Sequence, residues 1–60
     1  MNSREVIQTL KRDGWYEVKS NGGSHQKFRH PSKPGHVIVP HPRKDLPGPT
    51  VRSIWRQAGL

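Results

Sequence analysis

The residues Gly22-Gly23-Ser24-His25-Gln26-Lys27-Phe28 lead directly into Arg29 and His30. In an extended strand successive side chains alternate, so His25, Lys27 and Arg29 share one side while Ser24, Gln26 and Phe28 share the other. Phe28 is the one large apolar residue of the run, so its side is expected to meet the core and the histidine to face outwards. An outward imidazole among cations suits phosphodiester chemistry. Neutral imidazole can take the proton of a ribose 2′-hydroxyl as that oxygen attacks the adjacent phosphorus, and imidazolium can donate to the departing 5′-oxygen. Lys27 or Arg29 can stabilise the charge that builds on the phosphoryl oxygens. The backbone at Gly23 and Ser24 can approach a phosphate closely and offer amides to it. The 2′-hydroxyl is an internal nucleophile, so this route needs RNA and calls for no metal or other cofactor. The same spacing also fits a basic surface that binds RNA without cutting it, and both readings stay open at this level.

Other constellations are weaker. His30, His36 and His41 follow His25 at intervals of five, six and five, and Asp45 is nearby. No pair has the close i, i+2 or i, i+4 spacing that zinc sites on strands or helices commonly use, so no metal site is expected. Ser24 lacks the strand-to-helix elbow and the orienting carboxylate of a hydrolytic serine. Tyr16 and Trp15 are of a type that stacks on bases, but with so few large apolar residues both are expected in the core.

Elements to position these residues are legible. Asn2 and Glu5 have capping-box spacing, and Val6, Ile7 and Leu10 form one face of a helix over Asn2–Arg12. Trp15–Lys19 and Ser24–His30 read as two strands of a hairpin joined at Ser20–Gly23. His36–Val39 is a third strand, followed by a long Pro-rich connection containing Arg43 and Lys44. Pro49 opens a final helix over Thr50–Ala58, with Val51, Ile54, Trp55 and Ala58 on its apolar face. The outcome is a single α+β domain over residues 1–60, in the order α-β-β-β-α, with a three-stranded antiparallel sheet and both helices on one face. Tyr16 and Val18 are expected inside, with Lys19 joining His25, Lys27 and Arg29 on the open face.

Composition narrows the function. Sixty residues with 28% hydrophobic content give a thin core and no space for a deep substrate pocket. A net charge of +7 seeks an anionic partner, nucleic acid foremost, and argues for a monomer. There are no cysteines, and no apolar run has the length of a signal peptide or membrane span, so a cytoplasmic protein without membrane association is expected. Lys19, Lys27, Arg29, Arg43 and Lys44 are the candidate phosphate contacts, with Gly23 and Ser24.

In order, "SREVI", "GW", "GSHQKF", "VPHPRKDL" and "GPTVRSIWRQAGL" resemble the HicA toxins over essentially the whole chain. The resemblance implies a fold like the double-stranded RNA-binding domain. It also implies a messenger-RNA endoribonuclease that arrests translation, with the histidine of the G-S-H motif, here His25, as catalytic residue. It further implies a cognate HicB-type antitoxin as partner, and no operator binding by the toxin alone. Gln26 departs from the family pattern, in which many members carry a second histidine there. Pro49 and Trp55 also depart from it, standing where smaller or aliphatic residues are frequent.

Overall fold

The computed structural model describes residues 1–19 and 25–60. Helix α1 (Ser3–Arg12) is followed by β1 (Tyr16–Val18), β2 (His25–Arg29), β3 (Val37–Pro40) and α2 (Gly48–Ala58). The strands form one antiparallel sheet in the order β1-β2-β3. The turn expected at Ser20–Gly23, and Ser24 after it, lie outside the described residues.

Local chemistry accounts for the helix ends. The Asn2 side chain accepts from the Glu5 amide at 2.8 Å and the Glu5 carboxylate accepts from the Asn2 amide at 3.0 Å, completing the capping box. Lys11 and Arg12 occupy the last turn, where the helix dipole favours cations. Helix α2 begins at Gly48, two residues before the expected start, which puts Pro49 within its first turn. Gly59, at φ 71°, closes it in the left-handed conformation, and the Leu60 amide donates to the Trp55 carbonyl at 2.8 Å.

Both helices pack on the same side of the sheet. Val6, Ile7 and Leu10 of α1 and Val51, Ile54 and Ala58 of α2 enclose Phe28, Val37 and Val39, with Trp15 and Leu46 completing the cluster. Trp55, expected within this core, packs against it half-buried. The period of two holds in β2 and β3: Phe28 pairs with Val37 and Gln26 with Val39 on the helix side.

In β1 the expected parity is reversed. Trp15 is 2% exposed and belongs to the core, whereas Tyr16 is 50% exposed. The register agrees, since Glu17 pairs with Phe28 while Tyr16 pairs with Arg29 and Val18 with Lys27. A one-residue change of register moves every side chain to the other face. The larger indole buries more apolar area than Val18 would, and its N–H finds an acceptor in Asp13 Oδ2 at 3.2 Å. Lys19 follows the last residue of β1 and is exposed.

Asp13 joins the elements at one end of the molecule. Its Oδ2 accepts from Lys33 Nζ at 2.6 Å as well as from Trp15, and the same ammonium donates to the Ala58 carbonyl at the end of α2 at 3.0 Å. His30 reinforces this corner. Its Nε2–H donates to the Asp13 carbonyl at 2.7 Å, its Nδ1 accepts from the Ser32 amide at 3.0 Å, and its ring meets Trp15 edge-on at 5.2 Å. The hydrogen bond from Lys33 holds the Asp13 carboxyl below its ordinary value of 3.8 against the opposing effect of desolvation, with the Lys33 charge and the Trp15 hydrogen bond adding to the lowering.

Two outcomes follow. A depressed carboxyl contributes stability that is complete above its unfolded pKa and lost as pH falls through the folded one. Asp13→Asn should therefore lower the melting temperature at neutral pH, and the gap to wild type should close as the pH is taken below about 4. Gly14 adopts φ +105°, and a Cβ there would lie 2.7 Å from His30 Nε2. Gly14→Ala should thus destabilise the fold by about 1–3 kcal/mol, measured by denaturant titration.

Candidate functional site

His25 begins β2 and lies opposite Pro40 of β3. Its side of the sheet is set by Phe28: three residues on, the Phe28 ring is fully buried, so His25, Lys27 and Arg29 face away from the helices. His25 and Arg29 are exposed and Lys27 is half-buried. The expected cationic row on the open face is therefore present in β2, and Lys19 lies just beyond the end of β1.

Two shallow grooves meet at this histidine. One, of about 340 Å³, lies between β3 and α2, where Ile38 and Pro40 face Thr50, Ser53 and Gln57. The other, of about 250 Å³, is bordered by Arg43, Asp45 and Leu46 of the connection before α2. His25, Pro40 and Thr50 are common to both. Arg43 also borders a third depression, of about 400 Å³, together with Arg4, His41 and Lys44. A basic rim thus continues from the His25 groove past Arg43 to Lys44.

The connection carrying Arg43 is fastened to the start of α1. Ser3 is 2% exposed; its Oγ accepts from the Arg43 amide at 2.9 Å and is 2.7 Å from His41 Nδ1. The Ser3 amide donates to the Arg43 carbonyl at 3.0 Å and the Leu46 amide to the Met1 carbonyl at 2.7 Å. The Met1 ammonium donates to Asp45 Oδ1 at 3.3 Å. These bonds fix the backbone that presents Arg43 beside His25.

The remaining sequence candidates separate. His30 and His41 are hydrogen-bonded into loops, and His36 precedes β3 at the end of the sheet away from His25. Among the described residues no three His, Cys, Asp or Glu side chains gather as a metal site would need. Gly23 and Ser24 lie outside the described residues. No described helix is long and apolar enough to cross a membrane.

Sequence reasoning missed the α2 wall of the groove. Its signal was present: Thr50, Ser53 and Gln57 recur at helical spacing as an uncharged polar stripe beside Arg52 and Arg56, and Gln57 Nε2 donates to Ser53 Oγ at 3.3 Å. What that stripe would face depends on how α2 packs, which periodicity alone does not specify.

Comparison with known proteins bears on this arrangement. No curated protein sequence matches the chain significantly. Among solved structures, a chain of a toxin–antitoxin complex from Streptococcus pneumoniae superposes with a TM-score of 0.85 at 30% identity, over 100% of this chain and 98% of that one. A chain of the HicA3 and HicB3 toxin–antitoxin complex gives 0.79 at 33% identity, over 100% and 96%. The sequence profile described as "HicA toxin of bacterial toxin-antitoxin" matches residues 3–60. With its α-β-β-β-α architecture and this match over nearly its whole length, the chain belongs to the HicA toxin family of bacterial toxin–antitoxin systems.

Proposed function

We propose that this toxin is an endoribonuclease that cleaves messenger RNA in the cytoplasm and so arrests translation, with His25 as the general base or acid. The observation that carries the reading is the position of His25, which shares its strand face with Lys27 and Arg29 and also borders two grooves beside β3, one of them walled by Arg43. An RNA strand lying on this face would have its phosphates among cations and a 2′-hydroxyl within reach of the imidazole. The 2′-oxygen forms a bond to phosphorus as the bond to the 5′-oxygen breaks. One proton leaves the 2′-hydroxyl and one reaches the departing 5′-oxygen, leaving a 2′,3′-cyclic phosphate and a 5′-hydroxyl. The nucleophile is part of the substrate, so no metal-activated water enters the scheme. Lys27, His36 and Ser24 are the side chains that could supply the second proton-transfer group, and Lys27 is two residues from His25 on the same face. His36 is disfavoured, since it precedes the Val37–Phe28 pair and so lies at the other end of β2, about 13 Å away along the strand.

The partner we assign is a HicB-type antitoxin, supported by the similarity to chains from complexes of that kind. In this reading the toxin is a monomer when alone and does not bind operator DNA itself. Gly23, Ser24, Lys27, Arg29, Arg43 and Lys44 are the proposed RNA contacts. Lys19, exposed just beyond the end of β1, is a further proposed contact.

Cleavage of an RNA oligonucleotide by purified protein tests the assignment. His25→Ala should reduce the rate by about 10²- to 10⁴-fold while circular dichroism still reports a folded domain. An unchanged rate would remove His25 from the chemistry, and RNA binding without cleavage by wild type would make the chain a binding module. Lys27→Gln and Arg43→Gln should each weaken RNA binding. Each should also lower the slope of log affinity against log salt by about 0.7, the share of one phosphate contact on a single strand.

A further inference from the structure

The open face of the sheet carries one side chain that the proposed chemistry leaves without a task. Tyr16 is half-exposed, although the two other aromatic residues adjoining the strands, Trp15 and Phe28, are buried. A lone exposed ring needs no explanation. This ring, however, stands in register with the cationic row: its Cα partner is Arg29, and the next pair along is Val18 with Lys27. Ile38 continues that second row across β3, so Lys27 emerges between two half-buried aliphatic side chains. The face therefore reads Tyr16–Arg29, then Val18–Lys27–Ile38, then His25–Pro40.

None of the carboxylates belongs to these three rows. Glu5 closes the α1 cap, Asp13 is bonded to Lys33, Glu17 pairs with Phe28 on the helix side, and Asp45, bridged to the Met1 ammonium, borders the groove at the His25 end. An aromatic ring set in a cationic, carboxylate-poor sheet face has the makings of a single-strand nucleic-acid platform, on which bases stack and phosphates meet the cations.

We propose that Tyr16 is a base-stacking subsite for single-stranded RNA, whose backbone follows Arg29 and Lys27 to His25; this rests on the ribonuclease reading above. Four residue steps along β2 separate the Tyr16–Arg29 row from the His25 row, about 13 Å, so the stacked base lies outside the scissile step rather than at it. A paired base in an A-form duplex has its faces covered by its neighbours, so the subsite selects unpaired RNA. It tolerates sequence, because every base has a π-face.

The test uses a fully 2′-O-methylated single-stranded oligonucleotide, which lacks the nucleophile, and measures its affinity for the full-length chain by fluorescence anisotropy. Tyr16→Ala should weaken binding about 5- to 150-fold, while Tyr16→Phe and Tyr16→Trp bind like wild type. Moving a single abasic residue along the oligonucleotide should find one position that reproduces the loss in wild type and costs nothing further in Tyr16→Ala. Wild-type affinity in Tyr16→Ala would overturn the proposal, and if the wild type still cleaves RNA the ribonuclease reading stands without it. An equal loss in Tyr16→Phe would replace stacking by a hydroxyl contact. Unchanged RNA binding with weakened capture of the antitoxin would make Tyr16 part of a protein interface. No oligonucleotide binding and no RNA cleavage by wild type would overturn both readings together.

Discussion

Apolar side chains are scarce in this chain, and most of them are spent on one side of the sheet. Phe28, Val37 and Val39 are fully buried beneath two helices whose own apolar stripes are only three residues deep. A sixty-residue domain has no surplus with which to cover the second face. The open face is thus a consequence of size and composition, and its occupants are free to be polar. The same scarcity explains why polar bonds fasten the corners: Asp13 with Lys33 and Trp15 at one end, Ser3 with His41 and Arg43 at the other.

These two corners bear differently on the site. The Asp13 corner closes the ends of α1 and α2 around the loop before β3, remote from His25 along β2. The Ser3 corner holds the connection that supplies Arg43 and Asp45 to the groove beside His25. Since Ser3 is nearly inaccessible and its hydroxyl is engaged by the Arg43 amide, the groove wall is built on rigid backbone. Such support matters for phosphoryl chemistry, in which catalysis depends on donors fixed in advance where charge will develop.

Much of this was legible in the sequence. The Asn2–Glu5 cap, the apolar stripes of both helices, the order of elements and the outward face of His25 follow from spacing and period alone. The side of β1 did not. "WYEV" alternates as well in one register as in the other, and only the indole docking against Asp13 and His30 settles which residues go inside. That single slip moves Tyr16 to the open face and sets Glu17 across from Phe28. The grooves were not legible either, because they arise where α2 and the 41–46 connection come against β3, a tertiary arrangement that local pattern does not encode. His30 and His41 stand out in the sequence only as members of a histidine set too widely spaced for a metal; in the fold they are hydrogen-bonded joints.

The central claim is that His25 serves an internal 2′-hydroxyl nucleophile, and the product ends test it most directly. An RNA oligonucleotide and its 2′-O-methyl counterpart would be incubated with wild-type protein in the presence of a chelator, and the fragments analysed by mass spectrometry. The account predicts 2′,3′-cyclic phosphate and 5′-hydroxyl ends from the RNA and no cleavage of the methylated strand. Fragments ending in a 3′-hydroxyl and a 5′-phosphate, or equal cutting of the methylated strand, would contradict it.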